Sequence, residues 1–261
     1  MHVKKHFYLP ILAFLGSVGG LALRKWQLAS AFDPISGLPI GGRPASAAML
    51  IFSVFFCGIL LWFSIRKEVV TDELQETQKV QPIPTKRPML VQMSMMASAF
   101  LTLIGAFVMI RRFLTKELSP LWLLVGILFV LSAFSVVLRL FKPETGRNAL
   151  LIPAFTTCIW LMASYQAWAQ SPSESEYVFT LLAVVFAMLA HYYLASLSFD
   201  RPHTGPASFF CLASVYCALV CLADGQNLET LLLMLSLVLY FIPSVFLLLR
   251  DTQTIKEDLP A

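Results

Sequence analysis

An all-α integral membrane protein, a polytopic bundle of about eight transmembrane helices, is the fold this sequence predicts, and two observations carry it. Apolar residues make up 58% of the 261 positions and charged residues only 13%, well outside the balance of soluble globular domains. The apolar residues also gather into eight runs, at 7–23, 46–65, 89–110, 121–140, 149–168, 177–198, 207–223 and 230–249. Each run is close to the ~20 residues a helix needs to cross ~30 Å of hydrocarbon. Because the runs are continuous and do not alternate, they read as helices and not as barrel strands.

The first run follows Lys4 and Lys5, and Ala29-Ser30-Ala31 behind it resembles a signal cleavage site. Arg24 and Lys25 stand directly after the apolar stretch, where a cleavage region is short and uncharged, so the run reads as a retained helix. Gly16 and Gly20 form a small-xxx-small pair that admits a neighbouring helix. The loop 24–45 carries Asp33-Pro34-Ile35-Ser36-Gly37. Proline pre-sets φ, aspartate bonds the turn backbone and glycine takes positive φ, which together predict a short extracytoplasmic β-hairpin between the first two helices. It would pair Ser30–Phe32 with Leu38–Ile40.

Between the second and third helices, 66–88 begins with Arg66-Lys67-Glu68 and holds Pro82 and Pro84. It reads as a cytoplasmic linker whose first half extends the helix. The remaining helices follow through short connections, so neighbours pack antiparallel. Pro153 and Pro243 fall inside the fifth and eighth runs and are expected to kink or break them. Residues 250–261 read as a cytoplasmic tail.

Orientation follows from the basic residues. One side of the membrane receives Lys4, Lys5, Arg66, Lys67, Lys79, Lys86, Arg87, Arg139, Lys142, Arg147, Arg201, Arg250 and Lys256, 13 of the 19. The positive-inside rule makes that side cytoplasmic, placing both termini there in a multi-pass protein of the cell membrane. The other side holds Arg24, Lys25, Arg43, Arg111, Arg112 and Lys116, a candidate outward basic cluster, while its last two loops carry only acids. Such a cluster attracts an anionic solute, a lipid head or a partner.

Chemistry-bearing residues are few. No Asp or Glu lies within the eight runs, which weighs against an ion-coupled carrier or a membrane enzyme built on paired carboxylates. Hydrolase, kinase, P-loop and zinc-protease patterns are missing as well. The five cysteines all fall in the runs, outside any disulfide or zinc pattern. No cofactor and no metal site is expected, and no nucleic acid as partner.

The candidate binding residues are His191, Tyr192, Gln166, Arg111 and Arg112. His191 shares a helical face with Ala183, Ala187, Ala190, Leu194 and Ala195, so the small residues that admit a neighbouring helix point the same way as the imidazole. It is expected to face the bundle and to bond Ser214 or a tyrosine, serine or threonine of an adjoining helix. The leading functional expectation is a non-enzymatic subunit or accessory partner of a membrane assembly, held in the lipid bilayer beside another membrane protein. A small-solute permease with its pathway near His191 comes second, and a membrane enzyme third. A polar cavity reaching mid-membrane favours the permease; an enzyme requires at least three polar side chains around one pocket.

Overall fold

Every apolar run becomes a helix in the computed structural model, which describes residues 8–33, 40–75, 88–141, 148–169, 178–197 and 204–257. The helices are α1 (Tyr8–Ser30), α2 (Pro44–Gln75), α3 (Met89–Leu114), α4 (Pro120–Phe141), α5 (Leu151–Ala169), α6 (Val178–Ser196), α7 (Thr204–Val220) and α8 (Leu228–Glu257). Short 3-10 turns at Asn148–Leu150 and Cys221–Asp224 precede α5 and follow α7. Six helices are long and apolar enough to cross a membrane: α2, α3, α4, α6, α7 with its 3-10 extension, and α8. The other two, α1 and α5, belong to the same bundle. Glycines with Arg24 and Lys25 dilute the apolar character of α1, and Thr156, Thr157, Ser164 and Gln166 dilute that of α5.

The packing is a ring. Helices α3 to α8 follow one another in order and α8 closes back onto α3, while α1 and α2 lean as a pair against α7. The outer circumference is apolar and exposed: Leu50, Val54 and Phe55 on α2, Leu90, Phe100 and Phe107 on α3, Leu131 and Phe134 on α4. A continuous apolar surface of this kind is the ordinary face of a helix bundle solvated by lipid.

Helices inside lipid gain little from burying carbon, so close approach and hydrogen bonds must hold them. The glycine pair of α1 serves the first requirement, with its two members facing different neighbours. A Cβ on Gly16 would overlap the Phe56 ring of α2; one on Gly20 would stand 2.7 Å from Val220 Cγ2 and 2.9 Å from Tyr216 Cε2 of α7. Serines and threonines serve the second. Ser53 and the Tyr216 hydroxyl share a bond of 2.8 Å between α2 and α7, Ser98 Oγ donates to Ser236 O of α8 at 2.7 Å, and Thr156 Oγ1 donates to Leu128 O of α4 at 3.2 Å.

Pro243 stands in the interior of α8. It cannot donate to the carbonyl four residues earlier, which leaves Leu239 O without its helical partner. Ser94 Oγ of α3 donates to that carbonyl at 2.8 Å. The polar edge of α3 therefore repairs a bond that a proline removes from α8. Pro153, by contrast, falls in the first turn of α5 behind the 3-10 turn, where proline's missing N–H has no intrahelical acceptor to lose. The expected kink in the fifth helix is replaced by a helix start.

The first loop begins later than its charges suggested. Helix α1 continues through Ser30, past Arg24 and Lys25, because Arg24 finds a buried partner and so has no need to leave the bundle. With Ser30 helical, the first pairing residue of the expected ribbon is lost to α1. A single bridge at Phe32 remains, with Ile40 N–H donating to Ala31 O at 2.8 Å, and no strand is found among the described residues. The turn itself, including Gly37, lies outside the described residues. Gly42, at φ 76°, then leads into Pro44 at the first position of α2. The second and last helices also outrun their apolar stretches, α2 to Gln75 and α8 to Glu257.

Candidate functional site

Antiparallel order brings the C-terminal ends of α1, α3, α5 and α7 together with the N-terminal ends of α2, α4, α6 and α8. At this end two of the six charges expected to form an outward basic cluster, Arg24 and Arg112, are paired with acids. Arg24 Nε donates to Asp224 Oδ1 at 2.6 Å, with both side chains buried, and Arg24 Nη1 donates to Gln27 Oε1 at 2.7 Å. The same guanidinium lies 5.3 Å from the Phe179 ring centroid and 5.7 Å from that of Phe32. Arg112 reaches two carboxylates: Nε donates to Glu117 Oε2 at 2.8 Å, and Nη1 donates to Glu229 Oε1. The expectation of a bundle without carboxylates is therefore corrected at this end, where Asp224 and Glu229 are both buried.

Local geometry sets up the second pair. Just past the end of α3, Lys116 stands at φ 61°, with Lys116 N–H donating to Phe113 O and Glu117 N–H to Arg112 O. This left-handed closure turns the chain back so that Glu117 meets the side chain of Arg112. Arg112 first, and the Thr115 hydroxyl second, hold the exposed Glu117 carboxyl below its ordinary range. Glu229 lies in the first turn of α8, where a carboxylate complements the helix dipole.

Between α4, α5, α6 and the start of α8 lies a cavity of about 280 Å³. Leu118 and Trp122 line it at the start of α4, Trp160, Ser164, Ala167 and Trp168 along α5, Thr180 on α6, and Gln226, Asn227, Glu229 and Thr230 around the start of α8. Gln226 Nε2 donates to Thr180 Oγ1 at 3.0 Å, tying the α8 side of the pocket to α6. Trp160 sits at the middle of α5 and is buried, with its ring set edge-on to Phe129 of α4, centroids 5.3 Å apart. The pocket therefore runs from the ion-pair end to mid-helix depth and stops on an aromatic floor.

The five candidate residues do not converge. His191 is buried and faces the bundle, as its alanine-lined helical face implied. Its partner differs from expectation: Nδ1 is 2.8 Å from Ala187 O on its own helix, and Ser214 Oγ instead donates to Ala183 O at 3.2 Å. The imidazole packs on Tyr240 and Phe241 of α8, centroids 5.4 and 4.8 Å away. Nδ1 is thus met one turn back on its own helix and not by a polar group of another. Tyr192 and Gln166 are exposed, pointing away from it, and Arg111 is exposed at the end of α3. Arg112 alone among the five touches the pocket's lining, through Glu229.

What the sequence did not reveal is the pocket itself. Trp122, Trp160, Trp168 and Glu229 are spread over more than a hundred residues, and only the closing of the ring brings them together. Alternating helix direction does place Trp122, Trp168 and Glu229 at one end, and that was the available signal. Among the described residues no cluster of His, Cys, Asp and Glu is arranged to hold a metal ion. Comparison with protein-family models, with curated proteins and with solved structures finds no match to this chain.

Proposed function

We propose that this multi-pass helical membrane protein binds a small solute in the Trp122–Trp160–Trp168 pocket, in the manner of a permease closed on one side. The carrying observation is a half-polar cavity that enters from one end of a helix ring and reaches mid-helix depth. Ligand sites in membrane bundles are of this kind, apolar walls with a few convergent polar groups. At about 280 Å³ it lies near the lower end of small-molecule sites, so the solute is small. The Phe129–Trp160 pair is the barrier that would have to part for passage. In this reading the protein lies in the cell membrane with both termini cytoplasmic, and the pocket opens outward.

The test is a panel of small cationic, anionic and neutral solutes, measured as shifts in the thermal midpoint of the full chain in lipid nanodiscs. At least one class is expected to raise the midpoint of the native protein. Ala167→Trp, which fills the mouth from its exposed position on α5, should abolish the shift. A native protein indifferent to the whole panel, or a shift that survives Ala167→Trp, would contradict the assignment.

A second reading, an accessory subunit held against another membrane protein, is favoured by α2. That helix packs chiefly on α1 and α7 and presents Leu50, Ile51, Val54, Phe55, Leu61 and Trp62 outward. An apolar groove along Phe55, Gly58, Ile59, Trp62 and Phe63 marks the same face. Copurification of a stable partner, lost when α2 is substituted at Val54 and Trp62, would support it.

A further inference from the structure

Resting on the reading of the pocket as a solute site, we infer that its ligand is a small organic cation, an ammonium group carried on a compact apolar body. Three of the chain's five tryptophans line the cavity, and indole is the side chain whose face attracts a desolvated cation best. Among the described residues lining it there is no Lys, Arg or His, and the one ionisable lining group is Glu229. An anion entering here would meet a carboxylate and no cation in the wall.

The place of Glu229 in the wall points the same way. Its Oε1 accepts from Arg112, and among the described residues Oε2 has no hydrogen-bond partner. Arg112 is itself shared with Glu117. Outside the wall Arg111 also acts on Glu117, so the sign is set by the lining alone, where Glu229 is the one ionisable group. The positive end of α8 does not offset this in favour of an anion, because Glu229 occupies its first turn. A carboxylate in the wall of a pocket shielded from bulk water favours a cation over an anion. The hydroxyls of Ser164 and Thr230 remain for a polar substituent on the ligand.

The test uses the full-length protein in nanodiscs, with choline as the cationic probe, its uncharged carbon isostere 3,3-dimethylbutan-1-ol as the neutral one, and glucose and acetate as controls. Binding is read by quenching of tryptophan fluorescence and by thermal midpoint. Choline is expected to bind at least about tenfold tighter than the isostere, the scale of a desolvated cation–aromatic contact. Glu229→Gln and Trp122→Leu should each erase most of that preference. The leucine variant keeps an apolar wall and an intact Arg112–Glu229 pair, so it reports on the cation site even where the glutamine variant folds poorly. Equal binding of the isostere and choline, or a preference for acetate or glucose, overturns the cation assignment and leaves the pocket as a site for another class. If no probe binds and the wider solute panel is also silent, the solute-site reading falls and takes this inference with it.

Discussion

Arg24→Met is expected to destabilise the bundle by about 3–5 kcal/mol, the cost of leaving a buried carboxylate without its counter-charge. Arg24 and Asp224 stand 200 residues apart in sequence, their side chains are 2% and 0% exposed, and their contact pins the end of α1 to the turn after α7. The partner variant separates charge from packing. Asp224→Asn in the Arg24→Met background removes the stranded charge, so the double variant should recover much of the loss. A double-mutant cycle on the purified protein, read by denaturation in mild detergent, measures this directly. Additive losses would show that the pair is not coupled as its geometry implies.

Gly20→Leu is expected to force α1 away from α7. A Cβ at this position would already stand 2.7 Å from Val220 and 2.9 Å from Tyr216, and a larger side chain needs the helix axes to separate. Overpacking of a tight interface typically costs about 1–3 kcal/mol. Separation would also break the Ser53–Tyr216 bond, because Tyr216 must turn from α2 to make room. Gly58 supplies the control, since a Cβ there meets nothing within 4 Å. Gly58→Leu should leave the thermal midpoint nearly unchanged, and similar losses at both positions would contradict the packing account.

Much of the fold was legible because lipid leaves a chain few choices. A continuous apolar run must form a helix to satisfy its own backbone, and all eight runs did so. The ends were less legible. Arg24 read as the signal to leave the membrane, yet its charge is met by Asp224, and a single sequence does not show which distant acid will meet which base. The same pairing gives two of the six basic residues on the sparser side a place there: Asp224 holds Arg24 and Glu229 holds Arg112. His191 was placed correctly on an inward face by its alanines, but its partner was sought across helices when the carbonyl one turn back was nearer. Ser94 and Pro243 are a further case. Each was visible alone, and only the α3–α8 contact shows that one completes the other. The pocket was the least legible, since four helices contribute to it and none of its residues forms a local motif.

Alkylation of single cysteines by a membrane-impermeant thiol reagent on intact cells, with the five native cysteines replaced, tests the central proposal, a solute pocket opening on the outer face. Cysteine at Ala167, in the mouth of the pocket, and cysteine at Ser36, in the first loop, are expected to react from outside, while cysteine at Gln78 should react only after lysis. Reaction at Gln78 in intact cells with protection at Ser36 would invert the orientation. An Ala167→Cys variant that stays unreactive while Ser36→Cys labels would mean that no open pocket exists at that end.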